Sequence, residues 1–204
     1  TPLYSSAASD VYKRQLLETP KFVLPMLIQG FSFIMLFTYI SASPFIIQKI
    51  YGMSALQFSI MFAAIGITLI ISSQLVGVLV DRIERRQLLK IVTYIQVLGV
   101  VIVAITLLNH LSFWILVIGF IILVAPVTAV ASLGFSIAMD ESTRGRGSAS
   151  SLLGLVQFLL GGLMSSLVNV MGEHNVIPYV VIISMTAVIM IILQTIYTRL
   201  QRRS

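Results

Sequence analysis

Gly77–Lys90, GVLVDRIERRQLLK, is the densest charge cluster in the chain, and it stands between two long apolar runs. On both sides the sequence reads as membrane span or short connector. Of the 204 residues 58% are hydrophobic and only 10% charged, with a mean hydropathy of +1.03, too apolar for a water-soluble surface. A helix needs about 20 apolar residues to cross a hydrocarbon core, so a chain of this length with short loops holds about six spans. Barrel strands would be short and alternating, whereas these runs are long and continuously apolar. The expected fold is therefore an all-α membrane protein of six transmembrane helices. The absence of cysteine excludes disulfides and thiolate chemistry.

The predicted spans are residues 22–48, 57–80, 91–108, 113–139, 148–171 and 180–197, in a bundle covering 16–204. The first carries Gln29, Ser32, Tyr39 and Ser43 at helical spacing, with Leu36 on the same stripe. Pro44 near its outer end removes a backbone hydrogen bond and predicts a kink, which a bilayer tolerates only against protein or a water-filled cavity. A cavity-lining helix and a packed helix with a structural kink both fit. The fourth span repeats the pattern, with Pro126 at its middle and Thr128, Ser132 and Ser136 four residues apart. The fifth is rich in small residues: Ser150 and Gly154, Gly161 and Ser165, and Gly162 and Ser166 are spaced for close helix approach. Gln157 on the same stripe is the residue that packing explains least. Gly52, Gly145 and Gly147 mark turns.

Residues 1–15 differ in composition, with basic residues placed last rather than ahead of an apolar core, and so do not read as a signal peptide. The run Asp10–Gln15, DVYKRQ, looks like the translation of a transposase adapter end from a sequencing library. On that reading the segment is non-native, natural coding sequence lies upstream and this frame is a fragment; a disordered tail is the alternative.

Charge predicts orientation. Lys21, Arg82, Arg85, Arg86, Lys90, Arg144, Arg146, Arg199, Arg202 and Arg203 fall on one side of a six-span bundle, and only Lys49 on the other. By the positive-inside rule the first side, with both termini, is cytoplasmic. The formal charge of +6 thus reports topology rather than a nucleic-acid partner. Trp114, Tyr51 and Tyr179 fall at outer span ends, where aromatic rings sit at headgroup level.

No predicted span has an ionisable residue in its interior, although such residues, when present, mark proton and ion pathways. His110 and His174 stand alone, and no metal-ligand spacing, catalytic triad or phosphate-binding loop occurs. Neither an enzyme nor a cofactor is expected. Two readings suit the charged loop. Asp81 and Glu84 have the spacing of a capping pair, leaving Arg82, Arg85 and Arg86 to latch onto carboxylates or helix C-terminal carbonyls nearby. Alternatively, the loop is simply a solvated positive-inside segment.

Gly77, Asp81, Arg82, Arg85 and Arg86, in the frame G-x-x-x-D-R-x-x-R-R, resemble the cytoplasmic loop signature of the major facilitator superfamily. Glu84 stands where that pattern usually has Gly. Tyr39–Phe45, YISASPF, and Gly147–Gly161, GSASSLLGLVQFLLG, look like the seventh and eleventh helices of drug:proton antiporters in the bicyclomycin and chloramphenicol resistance subfamily. The resemblance covers residues 22–203. It implies the C-terminal six-helix half of a twelve-helix multidrug efflux transporter, with an inverted three-plus-three repeat. It also implies a missing N-terminal half that carries the proton-coupled acids, a proton gradient as energy source, amphiphilic substrates and a bacterial inner-membrane location. Under the repeat the first and fourth spans are equivalent, so Gln29, Tyr39, Ser43, Thr128, Ser132 and Gln157 are expected to face the cavity. Pro44, Pro126, Gly154 and Gly161 shape the helices, and Gly77, Asp81, Arg82, Arg85 and Arg86 would bias the inside-closed state. A facilitator of another solute, such as a sugar or amino acid, and a complete six-helix subunit or homodimer are the alternatives.

Overall fold

The computed structural model describes residues 13–142, 145–171 and 175–201. Most of residues 1–15 lie outside this set, as do Arg144, His174, Arg202 and Arg203. Among the described residues the long helices are α1 (Pro20–Pro44), which runs into a π-helical turn at Phe45–Ile50, α2 (Ala55–Leu79), α3 (Arg85–Leu108), α4 (Phe113–Val124), α5 (Pro126–Asp140), α6 (Arg146–Met171) and α7 (Ile177–Gln201). α4 and α5 form one span, because Ala125 between them keeps right-handed helical angles. Pro126 causes the interruption, since it has no N–H to give the carbonyl one turn back. Six stretches are therefore long and apolar enough to cross a membrane, and they form an all-α half-bundle.

Local chemistry sets the helix ends. Ser54 caps α2 reciprocally: its hydroxyl accepts from the Gln57 N–H at 3.3 Å, and Gln57 Oε1 accepts from the Ser54 N–H at 2.9 Å. α3 starts at Arg85 rather than at the first apolar residue, because backbone groups near the membrane are satisfied best by continuing the helix. Gly52 and Gly145 adopt φ of +67° and +74°, a region open to glycine, whereas Gly147 lies inside α6.

α1 is the axis of the bundle. It packs most extensively on α6, then on α5 and α7, while α3 packs on α4, α5 and α7 and α2 leans on α5 and α4. Within their apolar stretches 61% of the α1 span is buried, against 11% for α2 and 17% for α6. The two flanking helices thus turn most of their side chains outward.

The closest approach joins α3 to α4. A β-carbon at Gly99 would overlap the backbone of Ile122 and Leu123, and one at Gly119 would come within 2.9 Å of Val103. Each glycine admits the other helix, so the two backbones nearly touch just before the Pro126 break. Of the small-residue pairs on α6, Gly161 and Ser165 meet α1: a β-carbon at Gly161 would lie 2.9 Å from the Phe37 ring, and the Ser165 and Ser41 hydroxyls are 2.5 Å apart. Gly154 and Gly162 face open space.

The connectors sort into two ends. At one end Tyr51 donates to the Leu111 carbonyl at 3.0 Å and its ring packs on Phe113; burial raises the Tyr51 pKa. His110 sits in this turn with φ +51°, exposed to solvent. Trp114 nearby is 72% exposed, whereas Tyr179, close to the start of α7, is fully buried among the helices. It lies on the inward stripe of α7 with Val180, Ile183 and Ala187, and that periodicity outweighs its position near a helix end. The other end gathers Lys21, Arg82, Arg85, Arg86, Lys90, Arg146 and Arg199.

Gly99→Ala is expected to lower stability by about 1–3 kcal/mol through overpacking at the α3–α4 contact. Gly66→Ala, with nothing within 4 Å of the new methyl, should be neutral or stabilising by up to about 1 kcal/mol. Thermal unfolding of the two variants in detergent micelles distinguishes them, and equal melting shifts would contradict the packing.

Candidate functional site

Polar side chains in this bundle collect along the seams between helices, because hydrocarbon offers them no partner. Gln29 is fully buried where α1, α5 and α6 converge. Its amide NH₂ donates to the Leu153 carbonyl and to Gln157 Oε1, each at 3.3 Å. Gly134 on α5 leaves it room, since a β-carbon there would stand 3.1 Å from Gln29 Cβ. Among the described residues Gln29 Oε1 has no hydrogen-bond partner. Gln157 itself is half-buried, so the pair leads from the core to the open edge of α6.

A second seam joins α1 to α3 and α4. Ser32 donates to Gln96 Oε1 at 2.9 Å, and the Gln96 amide donates to the Leu123 carbonyl at 3.3 Å, beside the Gly99 contact. The broken turn before Pro126 is therefore held by a side chain from the neighbouring helix. Further along α1, Tyr39 stacks on Phe62 of α2 with ring centroids 5.7 Å apart and meets Phe120 edge-on at 4.9 Å. Tyr39 and Ser43 are both buried in the bundle, and the Ser43 hydroxyl reaches the Ile40 carbonyl only at 3.5 Å.

The third seam ties α5 to α2. Thr128 donates to the Leu69 carbonyl at 2.8 Å. Ser132, one turn on, is exposed and bonds to its own helix at Ala129. The predicted set is thus divided by depth: Gln29, Tyr39 and Ser43 lie inside, Thr128 and Gln157 at half-buried edges, and Ser132 outside. Gln29 with Gln157 links the first span to the fifth, and Thr128 links the fourth to the second.

The charged loop has a defined anchor. Arg85 places Nη1 2.7 Å from the Ser136 hydroxyl and Nη2 2.9 Å from Asp140 Oδ2. Glu84, not Asp81, occupies the N-cap of α3, and its side chain makes no capping bond. Its φ of −55° is ordinary for any residue, so the turn closes without a glycine there. The turn is fastened by the Arg82 and Ile83 N–H groups, which bond to the Leu79 carbonyl at 3.0 and 2.9 Å. Asp81, Arg82 and Arg86 are exposed, and Gly77 faces open space.

One feature escaped the sequence reading. Phe33, Phe37 and Phe158 form an aromatic trio across α1 and α6, with centroids 6.0–6.1 Å apart. Phe33 and Phe37 are four residues apart, a spacing that marks one helix face, but only the fold brings Phe158 to them. Gln157 precedes Phe158, so an amide and three rings border the same partly open seam. Among the described residues no group of three or more His, Asp or Glu side chains could hold a metal ion.

The family model described as Major Facilitator Superfamily matches residues 4–166. An MFS-type transporter of Bacillus subtilis, YdgK, is 33% identical over 153 residues, and a bicyclomycin resistance protein homolog of Haemophilus influenzae is 31% identical over 153 residues. Each alignment covers 75% of this chain but 38% of the relative, so the chain matches less than two-fifths of either relative's length. The match spans the first four helical spans and most of the fifth, and on that ground the chain belongs to the Major Facilitator Superfamily.

Proposed function

We propose that the chain is the C-terminal six-helix half of a proton-coupled efflux transporter that exports amphiphilic small molecules by alternating access across a bacterial inner membrane. The observation that carries this reading is the α1–α6 seam, where Gln157 and the Phe33, Phe37 and Phe158 rings adjoin. Amphiphilic ligands are held by apolar and aromatic walls with a few placed polar groups, and this seam has that composition without a fixed charge. The likeness to a bicyclomycin resistance homolog supports the same substrate class. On this proposal Gln157, Thr128 and Ser132 meet the cavity, while Gln29, Tyr39 and Ser43 act from behind, Gln29 by orienting the Gln157 amide. The described spans carry no carboxylate in their interiors, so proton coupling falls to acidic residues of the other half. The outward faces of α2 and α6 would pack against that half.

The basic end is assigned to the cytoplasm by its charge. There the Arg85–Asp140 pair joins the start of α3 to the end of α5. Both groups are about half exposed, so the pair by itself contributes about 0.2–1 kcal/mol. Its position adds to this, because a cation at a helix N-terminus and an anion at a C-terminus each oppose their own helix dipole. Neutralising one another removes both conflicts. The pair is internal to the half-bundle, so its role is to hold the loop in place and leave Asp81, Arg82 and Arg86 free to engage the opposite half when the inside closes.

Expressed as the complete gene in an efflux-deficient bacterial host, the transporter should raise tolerance to bicyclomycin, and a protonophore should abolish the effect. Efflux that survives the protonophore would sink the coupling, and solute uptake without drug tolerance would favour the facilitator reading. Gln157→Leu should reduce efflux about fivefold at unchanged protein abundance, the equivalent of one hydrogen bond worth about 1 kcal/mol. Arg85→Gln and Asp140→Asn should each weaken transport, and the double variant should be no worse than the poorer single; additive losses would mean that the two residues act separately.

A further inference from the structure

A groove at the basic end has no part in the proposed transport path. α3 presents one continuous outward stripe, Gln87, Ile91, Tyr94, Ile95 and Leu98, that with Lys90 lines a wide-open, shallow cleft walled by α3 alone. Lys90 and Tyr94 also line a second cleft of about 180 Å³, completed by Thr195, Thr198 and Arg199 of α7. Shared walls make the two clefts one groove with a polar, cationic head and an apolar tail. The apolar tail, from Ile91 to Leu98, runs about 10 Å along α3, from the basic end toward mid-membrane.

Neither cation in the head has an acidic partner among the described residues, in contrast to Arg85 and Arg14, which are paired. Lys90 is half-buried, several residues inside α3. An ammonium held there without a counter-ion is costly unless an anion from outside the chain supplies one. The Thr195 and Thr198 hydroxyls donate to the Ile191 and Gln194 carbonyls at 2.7 and 2.8 Å, so they can only accept, from a cation or a headgroup hydroxyl, and Lys90 and Arg199 supply the donors for an anion. Beneath them Ile91, Ile95 and Leu98 are 41%, 42% and 52% exposed, and that surface suits an acyl chain.

We propose that this groove is a binding site for one anionic phospholipid, its phosphate between Lys90 and Arg199, its glycerol region beside Tyr94 and one acyl chain along the α3 stripe. Basic clefts between transmembrane helices at the headgroup level recognise anionic lipids in this way. A site for a soluble phosphate compound would not need the apolar tail, and annular lipid contact alone would not need two neighbouring cations with no acidic partner among the described residues. Bound lipid would bridge α3 to α7 at the end where the charged loop begins, coupling leaflet composition to the loop's position.

Native mass spectrometry of the purified protein in detergent, titrated with dioleoylphosphatidylglycerol or dioleoylphosphatidylcholine, tests the site. The expected result is retention of one phosphatidylglycerol in preference to phosphatidylcholine, reduced at least about fivefold by K90Q/R199Q. Leu98→Trp, which fills the tail and leaves the charge unchanged, should also reduce retention. Lys21→Gln with Arg82→Gln removes the same charge elsewhere at the basic end and should leave retention as it was. Equal retention of both lipids, insensitivity to K90Q/R199Q, an equal loss in the Lys21/Arg82 control, or displacement by millimolar glycerol phosphate would each overturn the proposal.

Discussion

In hydrocarbon every polar group must find its partner within the protein, and the whole bundle is arranged around that constraint as it applies to α1. This helix carries Gln29, Ser32, Thr38, Tyr39 and Ser43 through the bundle interior, all of them buried. Thr38 returns its hydroxyl to the Ile34 carbonyl of its own helix at 2.7 Å, but the two-carbon amide arm of Gln29 and the hydroxyl of Ser32 reach across to α6 and α3. Those bonds tie α1 to one helix on either side of it. Since lipid tails are as apolar as the core side chains, such polar links and close packing decide the assembly where hydrophobicity does not.

The same economy explains the two prolines and the glycines beside them. Pro126 frees a carbonyl turn at mid-membrane, and Gln96 of α3 donates to Leu123 beside it. For Gln96 to come so near, α3 and α4 must touch backbone to backbone, which Gly99 and Gly119 permit. Pro44 is accommodated differently: the helix continues as a π turn, in which the Tyr51 N–H bonds to the Ile46 carbonyl five residues back. The two kinked spans are thus not equivalent in detail.

At the charged end, electrostatics replaces packing. Arg85 and Asp140 each sit at the helix end that their charge disfavours, and their bond ties the start of α3 to the end of α5. Among the described residues Lys90 and Arg199 carry no such partner. The distribution separates a loop fixed by the protein itself from a cleft whose charge is left to the surroundings.

The number of spans, the helical class and the gathering of cations at one end were legible in the sequence because apolar length and charge placement are local properties. So were the turns at Gly52 and Gly145, and the polar stripe of α1. Depth was not. Tyr179 stands near a span end and is nonetheless covered by other helices; of the residues expected at the cavity, Ser132 is exposed whereas Gln29 is fully buried; and Glu84, standing where the loop pattern usually has Gly, takes an ordinary φ. The partnership of Gln29 with Gln157, the reciprocal Gly99 and Gly119 contact and the meeting of Phe158 with Phe33 and Phe37 were also invisible. These join residues far apart in the chain, and helical periodicity defines a face without saying what covers it. By itself the sequence determined six apolar helices with a basic end; only the tertiary structure decided which face of each meets another helix, because that choice rests on steric fit and hydrogen-bond reach across the bundle.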